Sequence, residues 1–481
     1  MFESTGPFAL FDYFRVPHER VDGESAAPGL ASLSVRGETA SLSWPLDAAL
    51  TSERRRPTSY FLGTTPLFGR VAPDAEVRSW LPRIGGNWRA AEEIRNEQGT
   101  LAGAVWRNDD DGSTVLPFDP NELIHNFWSE RYLEYVRPAA VNHLAGLARR
   151  GYYRARPLLP RAVQMSMRRS FSRVQSKSRF PRWPVETALH DFYDFLFATV
   201  AGVAQRPVPF IGLWPRNFAW ALVLTHDVEA QVGYEKLPEL LRVEVEGGYR
   251  SSWNFVPQNR YVVADELVES LQRQGFEVGV HGFNHDGRDL ASLATLKRRL
   301  PGIRDSAERW EAKGFRSPGT LRSAELMPLL GFDYDSSYTD TAPFEPQAGG
   351  CCTWLPYMIE DLVELPITLT QDHTLFELLG HRDESVWVEK ARFLRQRGGM
   401  ALVLTHSDYV DQPYLLDSYR RLLQEFADDS TAWKALPRDV SDWWRSRSNS
   451  SLEEIGGEWC VVGPARSEAR VEFDSPPVLA V

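Results

Sequence analysis

The stretch FAWALVLTHDVE, residues 218–229, joins a continuous apolar run to a group of polar residues. An unbroken apolar run of this length, without helical spacing, is typical of a β-strand that is buried on both faces. FEVGV at 276–280 and MALVL at 400–404 repeat the pattern further along the chain. Helical patterns such as ADELVESLQRQG and LATLKRRLPGIRDSAERWEAKG lie between these runs, and each ends in glycine, as helices often do. The alternation predicts an α/β fold with parallel strands, in a barrel or a doubly wound sheet.

The rest of the chain differs in composition from residues 215–445, to which we assign this α/β domain. A chain of 481 residues is too long for one ordinary core, so two or three domains are expected. Residues 1–145 contain short strand-like runs broken by glycine, proline and aspartate, which predict a separate N-terminal β-rich or mixed domain. We predict that residues 146–214 form a basic and helical connecting segment, and that residues 446–481 form a polar C-terminal tail.

The charge of the chain argues against nucleic acid as its main partner. The formal net charge is −11, whereas phosphate binding needs a basic surface. One segment is an exception, because residues 149–182 contain ten arginines, one lysine and no carboxylate. Two interpretations of this segment stay open. It is a solvated linker or helix face, or it contacts an anionic membrane surface or polyanion, since Met165, Met167 and Phe171 lie among the charges.

The cysteines and the N-terminal residues bear on the cellular compartment. Cys351, Cys352 and Cys460 form no CxxC pair and no even disulfide framework. The opening residues lack the basic and apolar regions of a signal peptide, and no apolar run reaches the ~18 residues that span a bilayer. We therefore expect a reduced, cytoplasmic location.

Polar residues with reactive side chains follow the successive predicted strands. In parallel α/β folds, the reactive groups gather at the carboxyl ends of the strands. Five strand ends carry such residues, in this order: Asp227 with Glu229, His281 with His285, Arg316, Asp335, and His406. Chance accounts for one or two of these positions, but not for five in order, so we expect one shared site.

The residue types at this site are those of a hydrolytic metal centre. Catalytic zinc is bound by about three nitrogen or oxygen ligands and keeps one position open for water. The i, i+4 spacing of His281 and His285 predicts that both rings lie on one side of a helical turn. Asp227 and Glu229 face the same way in an extended strand, so one carboxylate can bind the metal while the other stays free as a base. His226 faces the other way, and we expect it to be a hydrogen-bonded structural residue.

In their order, these motifs resemble those of the polysaccharide deacetylases, carbohydrate esterase family 4 (the NodB homology domain), over roughly residues 218–445. The first motif of that family is Thr-Phe-Asp-Asp, in which the first aspartate is the base and the second binds the metal. Thr-His-Asp-Val-Glu stands here, so the resemblance assigns the base to Asp227. The metal position holds Val228, and Glu229 is the natural substitute for the missing ligand.

The later motifs of the family are matched more closely. His281 and His285 correspond to its His-x-x-x-His motif and are thereby implied as metal ligands. Arg316 and Pro318 match its Arg-x-Pro motif, and Arg316 is implied to pair with the catalytic base. LVLTH at 402–406 matches the last motif, which assigns the catalytic acid to His406.

The resemblance implies a distorted (β/α)7-type barrel that binds a divalent metal, with zinc as the expected ion. The implied reaction is hydrolysis of an N-acetyl or other acyl amide on an amino sugar. Pro318, Tyr334 and Asp335 are implied on the substrate side, with Gly319 widening the acyl pocket where an aromatic is usual. Trp253 lies near a strand end and is either a sugar contact or a core residue.

Three functions stay open from the sequence. The first is a metal-dependent hydrolase that removes an N-acetyl or other acyl group from an amino sugar of a glycan or glycan precursor. The second is a metal-independent, allantoinase-like cyclic amidohydrolase, which Val228 at the ligand position favours. The third is a non-catalytic barrel that binds glycan. We favour the first, because the chain retains both the base and the acid.

Overall fold

The computed structural model describes residues 9–21, 30–35, 40–46, 57–136, 180–258, 261–412 and 414–473. Most of the basic segment 149–182 therefore lies outside the described residues. The chain divides into two compact units, the first with residues 146–186 and 213–445 and the second with residues 2–145, 187–212 and 446–481. Residues 187–212 and 446–481, which we predicted as connecting segment and tail, cluster with the N-terminal residues instead.

The strands of the described residues, in chain order, are β1 (His18–Arg20), β2 (Leu30–Val35), β3 (Leu42–Pro45), β4 (Thr58–Leu62), β5 (Thr65–Gly69), β6 (Trp88–Asn96), β7 (Leu101–Asn108), β8 (Thr114–Val115), β9 (Pro209–Ile211), β10 (Trp220–Val228), β11 (Ser252–Phe255), β12 (Glu277–His281), β13 (Gly314–Arg316), β14 (Tyr334–Asp335), β15 (Tyr357–Ile359), β16 (Leu362–Glu364), β17 (Met400–His406), β18 (Ala432–Ala435), β19 (Ser451–Ile455), β20 (Glu458–Val462) and β21 (Val471–Phe473).

The α-helices of the described residues are α1 (Ala9–Phe14), α2 (Asp74–Ile84), α3 (Pro120–Trp128), α4 (Leu133–Val136), α5 (Ala188–Ala204), α6 (Gln231–Gly247), α7 (Asp265–Arg273), α8 (Leu293–Arg309), α9 (Ser385–Gln396), α10 (Leu415–Glu425) and α11 (Pro437–Ser448). Short 3₁₀ turns lie at Pro318–Thr320, Met327–Leu330 and Ser407–Tyr409, and a π-helical turn lies at His373–Leu378.

The first unit is built on a curled, mainly parallel sheet. Its strand order is β15-β16-β14-β13-β12-β11-β10-β17, and β18 also pairs with β10. A parallel bridge between Leu369 and Val403 brings the segment after β16 back to β17, so the sheet curves round on itself. All nine residues of β10 are buried, as expected for a strand that is covered on both faces. The predicted α/β class with parallel strands is confirmed for this unit.

The regular repeat of strand and helix is interrupted halfway along this sheet. α-Helices follow β10, β11, β12, β16 and β17, although short helical turns precede the last two. Only 3₁₀ turns follow β13, and the antiparallel strand β15 stands where a helix would follow β14. The resemblance implies a distorted (β/α)7-type barrel, and the curled sheet agrees with this only in part, because the exact (β/α)7 repeat is not confirmed. The distortion falls on the side of the sheet where the chain has short strands and many loop residues.

The strand register brings the polar strand ends together. Asp227 on β10 pairs with His406 on β17 and with Asn254 on β11. His281 at the end of β12 pairs with Arg316 at the end of β13. Because neighbouring parallel strands lie about 5 Å apart, this register alone gathers the side chains at one edge of the sheet.

The second unit contains an eight-stranded sheet with the order β1-β2-β3-β8-β7-β6-β4-β5, in which most neighbours are antiparallel. β19 and β20 form a hairpin, and β21 pairs with β9. Ile211, Leu452 and Val461, which lie on β9, β19 and β20, form a buried apolar cluster. The described part of the predicted C-terminal tail, residues 446–473, therefore contributes three strands to this unit.

Two further features of the described residues bear on the sequence analysis. Cys351, Cys352 and Cys460 form no disulfide among the described residues. Across the described ranges, no helix has both the length and the apolar character that crossing a bilayer requires. The cytoplasmic location, and the contact of residues 149–182 with an anionic surface, stay predictions.

Candidate metal centre and active site

The three predicted ligands converge at the carboxyl ends of β10 and β12. Glu229, His281 and His285 each offer one ligand atom, and these atoms all lie within 4.8 Å of one another. Oε1 of Glu229 lies 2.9 Å from Nε2 of His285 and 4.0 Å from Nε2 of His281. One carboxylate and two imidazoles are a donor set that suits zinc and related divalent ions.

His281 is oriented as a metal ligand would be. Its Nδ1 lies 3.1 Å from the backbone carbonyl of Arg316, to which it can donate its proton. That bond leaves Nε2 free to accept, and this buried atom has no hydrogen-bond partner among the described residues. Burial lowers the pKa of His281 to about 4, so the ring is neutral at pH 7. A neutral ring with its second nitrogen held by a carbonyl is the usual arrangement of a metal-bound histidine.

The loop after β12, and not a helical turn, brings the two rings together. Gly282 and His285 have positive φ angles of 65° and 58°, so the helical turn predicted from the i, i+4 spacing is wrong. The ring centroids of His281 and His285 nevertheless lie 5.1 Å apart. A side chain at position 282 would approach the ring of Pro318 within 2.5 Å, so only glycine fits between them. Pro318 thus supports the loop that carries both histidines.

Glu229 supplies the carboxylate that Val228 lacks at the predicted metal-ligand position. Val228 is fully buried in the strand, whereas the Glu229 carboxylate reaches the two histidines. Burial raises the pKa of Glu229, but the nearby histidines, led by His285, outweigh burial and hold the pKa well below its ordinary value. The backbone N–H of Glu229 donates to Asp408 at 2.8 Å, which fixes the chain where it leaves β10. The residues present therefore fit a divalent cation.

Asp227 lies beside this donor set with its own partners. Its Oδ1 accepts a hydrogen bond from Asn254 at 2.9 Å and one from Arg316 at 3.2 Å. Its Oδ2 lies 3.6 Å from Nδ1 of His281. Burial raises the pKa of Asp227, but His281, Arg316 and His406 together outweigh it, so the pKa lies below its ordinary value. Asp227 is therefore an ionised carboxylate, as a general base must be.

Arg316 is fixed by hydrogen bonds to three residues. Its Nε donates to the carbonyl oxygen of Ser336 at 2.7 Å, and its Nη2 donates to the hydroxyl of the same residue at 2.8 Å. Its Nη1 donates to Thr225 at 2.9 Å as well as to Asp227. The planar guanidinium is thus held rigidly, and it in turn holds the carboxylate in one orientation. The predicted pairing of Arg316 with Asp227 is present.

His406 lies on the other side of the donor set, with its Nε2 3.8 Å from Oε1 of Glu229. Its Nδ1 lies 2.6 Å from Oδ1 of Asp372, and its backbone N–H donates to the second oxygen of Asp372 at 2.7 Å. Burial lowers the pKa of His406, but Asp372, followed by Glu229 and Asp227, outweighs burial and raises the pKa to about 10. His406 is therefore protonated at neutral pH, which a general acid requires.

His226 is part of the core, as predicted from its position in the strand. The ring is fully buried, with Nδ1 2.7 Å from the Thr405 hydroxyl and Nε2 2.8 Å from Oε1 of Glu244. Trp253 stacks on this ring at a centroid distance of 4.1 Å and is itself fully buried. A tryptophan enclosed in this way has no face left for a sugar, so the structure corrects the predicted substrate contact of Trp253.

Tyr334 and Asp335 are also placed away from a substrate position. The Tyr334 hydroxyl donates to the buried carboxylate of Glu277 at 2.8 Å. Asp335 is fully buried on β14 and pairs in register with Glu364 on β16. Burial raises the pKa of Asp335 to about 6 and that of Glu364 well above its ordinary value, so these carboxyls are placed to share a proton. Both side chains thus lie in the core, and the backbone N–H that the resemblance implies near Tyr334 or Asp335 for the oxyanion stays a prediction.

Sequence reasoning missed three residues of this site. Asn254 is the third residue of the short strand β11, whose apolar pattern is brief, although its register opposite Asp227 follows the same strand-end rule. Asp372 follows no predicted strand, yet it is the residue that contacts His406. Asp408 lies after β17 and accepts the backbone N–H of Glu229, a tertiary contact that leaves no local sequence signal.

Comparisons with known proteins give distant similarities. No family model and no curated protein matches the chain. The chain is similar to a solved protein from Mycobacterium smegmatis that is described as a polysaccharide deacetylase, with 19% identity over 51% of this chain and 96% of that one, at a TM-score of 0.40. A protein from Pseudomonas aeruginosa PAO1 with the same description matches with 15% identity over 48% of this chain and 92% of that one, at a TM-score of 0.37. The Puue allantoinase matches with 16% identity over 48% and 92%, at a TM-score of 0.38. Likenesses at this distance do not decide the activity of this chain, which depends on its own strand-end residues.

Proposed function

We propose that the first unit is a metal-dependent hydrolase that removes an N-acetyl or other acyl group from an amino sugar of a glycan or glycan precursor. One observation carries the proposal. The ligand atoms of Glu229, His281 and His285 lie within 4.8 Å of one another, while a separate carboxylate and a separate imidazolium flank them. A purely structural cluster would not need an ionised base and a protonated acid on its two sides.

Glu229, His281 and His285 would hold the cation, and zinc is the ion that this donor set favours. A cation bound there supplies Lewis-acid polarisation of the amide oxygen and makes water acidic enough to react at neutral pH. The protein prepares the three side chains in advance. The Arg316 carbonyl orients His281, and Asp408 fixes the backbone of Glu229.

Asp227 is the proposed general base. Its carboxylate is ionised, and Asn254 and Arg316 both hold Oδ1, so Oδ2 is the oxygen left to accept a proton from the attacking water. Arg316 stabilises the negative charge before the proton is taken, which keeps the carboxylate aimed but lowers its basicity. The basicity of Asp227 therefore depends on its hydrogen bonds to Asn254 and Arg316.

His406 is the proposed general acid. An amine departs poorly as an anion, so the amide nitrogen must receive a proton as the carbon–nitrogen bond breaks. Asp372 holds the Nδ1 side of the ring, which leaves the Nε2 proton directed towards the ligand set and Glu229. After transfer, the carboxylate of Asp372 favours the return of a proton to the ring.

The assignment of an amino-sugar substrate rests on the motif resemblance over residues 218–445. The acyl side of the site gains support from Gly319, whose φ and ψ of 65° and 23° are left-handed and suit glycine better than an aromatic residue. Without an aromatic side chain at this position, acyl groups larger than acetyl are expected to be accepted. Exclusion of every larger acyl group would contradict this part of the proposal.

Zinc-loaded protein incubated with N-acetylated and N-propionylated amino sugars provides the direct test. We expect release of the free acid and the free amine in equal amounts, and loss of release after chelation. The Asp227→Asn variant is the matched control, because it should bind zinc and yet be inactive. Cleavage of a cyclic amide such as allantoin that survives chelation would favour the allantoinase-like alternative. Sugar binding without cleavage in the zinc-loaded wild type would favour the non-catalytic barrel.

A further inference from the structure

The loop that carries the candidate ligand His285, residues 282–289 (the ligand loop), is bound to helix α8 by a buried arginine. Leu296, Arg299 and Ile303 are the buried residues of α8, so a charged side chain lies on the inward face of this helix. Arg299 is 9% exposed, and arginine is seldom so buried unless it is paired. We propose that Arg299 is a positioning residue for the candidate metal ligands, which holds the ligand loop in its zinc-binding conformation before zinc binds. The proposal deepens the proposed function and rests on its metal site.

Arg299 binds the residue that directly follows His285. Its Nη1 donates to Oδ1 of Asp286 and its Nη2 donates to Oδ2, each at 2.6 Å. Two such bonds from one guanidinium to one carboxylate fix orientation as well as distance. His285 has a φ of 58°, a left-handed conformation that a residue other than glycine keeps only where its surroundings hold it. The bonds to Asp286 therefore stabilise the backbone that places Nε2 of His285 2.9 Å from Oε1 of Glu229.

Asp289 extends the contact to the other side of His285. Its carboxylate is buried, and its Oδ1 accepts a further hydrogen bond from Nη1 of Arg299 at 2.7 Å. Its Oδ2 accepts the backbone N–H of Phe283 at 3.1 Å. A buried carboxylate that loses its cationic partner is strongly unfavourable, so without Arg299 this carboxylate would turn towards water and release the Phe283 N–H. One guanidinium thus fixes the ligand loop directly after His285 and, through Asp289, two residues before it.

The Phe283 ring packs against the same helix. A side chain at position 302, three residues after Arg299, would come within 2.6 Å of this ring, so glycine there lets the ring lie against the backbone of α8. The Arg299 guanidinium lies over the ring, 5.9 Å from its centroid. α8 therefore contacts the ligand loop at Phe283, Asp286 and Asp289. A loop that is held at three residues loses little conformational freedom when an ion binds, which favours binding.

The charge of Arg299 gives the proposal a test by sign. A positive charge near a cation site repels the cation, so on Coulombic grounds alone a neutral residue at position 299 should raise the affinity for zinc. Positioning predicts the reverse. Without Arg299 the ligand loop populates other conformations, and the apparent affinity falls with the fraction of molecules that is competent to bind. The direction of the change in zinc affinity therefore distinguishes positioning from a simple effect of charge.

Zinc titration of the metal-free protein against a competing chelator tests the proposal with Arg299→Met and Arg299→Lys. Methionine keeps an unbranched apolar side chain and removes the charge, whereas lysine keeps the charge but cannot form the paired bonds to Asp286. We expect zinc binding to weaken about 10- to 100-fold in Arg299→Met and by a smaller factor in Arg299→Lys. Arg298→Met, at an exposed arginine of the same helix, is the matched control and should leave the affinity unchanged.

Hydrogen exchange of the zinc-free proteins gives a second readout, which does not depend on the metal. The amide of Phe283, which donates to Asp289, should exchange faster in both Arg299 variants, while the amides of β10 should stay as protected as in the wild type. Saturating zinc selects the competent loop conformation, so kcat at saturating zinc should return close to the wild-type value. If Arg299→Met does not fold, Arg299→Lys decides alone, because it keeps the buried charge.

The outcomes separate the positioning role from the proposed function. Zinc binding by the Arg299 variants that is as tight as in the wild type, or tighter, overturns the positioning role, and so does unchanged exchange at Phe283. A kcat that stays low at saturating zinc overturns it as well, because the effect would then lie in the reaction. Weakened zinc binding in the variants, beside a wild type that hydrolyses no acylated sugar, would support the positioning role and overturn the proposed function. Hydrolysis by the wild type with unchanged zinc affinity in the variants would overturn the positioning role alone.

Discussion

Asp372 holds His406 at two points, with one carboxylate oxygen 2.6 Å from Nδ1 and the other accepting the backbone N–H at 2.7 Å. Both residues are buried, so the ring has one position and one available proton, on Nε2. Nε2 of the ring lies 3.8 Å from Oε1 of the candidate metal ligand Glu229. Asp372 therefore fixes the position of the proposed acid and also raises its pKa.

Replacing Asp372 by asparagine should shift the pH dependence of hydrolysis. A general acid works while it is protonated, so activity falls as the pH rises through its pKa. Asp372 is the main group that raises the pKa of His406 to about 10, and Glu229 contributes less. A cation bound at Glu229 would offset the contribution of the Glu229 carboxylate, but not that of Asp372. We therefore expect the basic limb of the kcat/KM profile to move to lower pH in Asp372→Asn. An unchanged basic limb would show that His406 is not the acid.

Asp227→Asn should abolish proton transfer without emptying the metal site. General-base groups contribute roughly 10²- to 10⁴-fold, so kcat should fall by about that factor. Zinc stoichiometry should stay unchanged, because the candidate ligands are Glu229, His281 and His285. Asn254→Ala, which removes one hydrogen bond to the same oxygen, should cost much less. Equal losses in the two variants would contradict the role of Asp227 as base.

Replacement by alanine should lower mainly the stability of the protein at His226, and mainly its affinity for zinc at His285. His226 is fully buried and contacts Glu244, so His226→Ala leaves a cavity and a buried carboxylate with one partner fewer. We expect a loss of about 2–4 kcal/mol in the free energy of unfolding, with zinc still bound. His285→Ala should weaken zinc binding and change the stability of the zinc-free protein little. Chemical denaturation and metal analysis of both variants check this pair, and zinc loss in His226→Ala would refute the division of roles.

Glu277 should make the protein less stable as the pH rises. Burial raises its folded-state pKa from 4.5 to about 7, so the folded protein binds more protons than the unfolded chain between these values. Its stabilising share is therefore complete below about pH 4.5, falls through the interval up to 7 and stays lost above it. The full change is about 3 kcal/mol. Glu277→Gln should flatten this part of the stability profile, and a slope equal to that of the wild type would contradict the assignment.

The ends of the main strands could be predicted from the sequence because their signals are local. An apolar run such as residues 218–224 defines a strand by itself, and the residues directly after it must lie at the carboxyl edge of a parallel sheet. Asp227, Glu229, His281 and His406 were found in this way, and the structure brings them together. Their chemical roles stay predictions.

What the sequence did not reveal depends on contacts between distant residues. Asp372 reaches His406 only because the turn after the Leu369–Val403 bridge lies beside β17. The enclosure of Trp253 follows from its stacking on His226, a neighbour on another strand. The positive φ of His285 replaces the expected helical turn, and i, i+4 spacing cannot distinguish the two. Each case needs the tertiary fold before the local geometry is determined.

Metal content is the measurement that tests the central claim most directly. Protein freed of metal by a chelator, dialysed against zinc and analysed by mass spectrometry should contain one zinc ion per chain. Glu229→Gln keeps the size of the side chain but removes its charge, so it should lose most of this zinc and the hydrolytic activity with it, while Glu235→Gln, on the exposed surface of α6, should retain both. A wild-type protein that binds no zinc or other divalent ion, or a Glu229→Gln variant that binds it undiminished, would contradict the account.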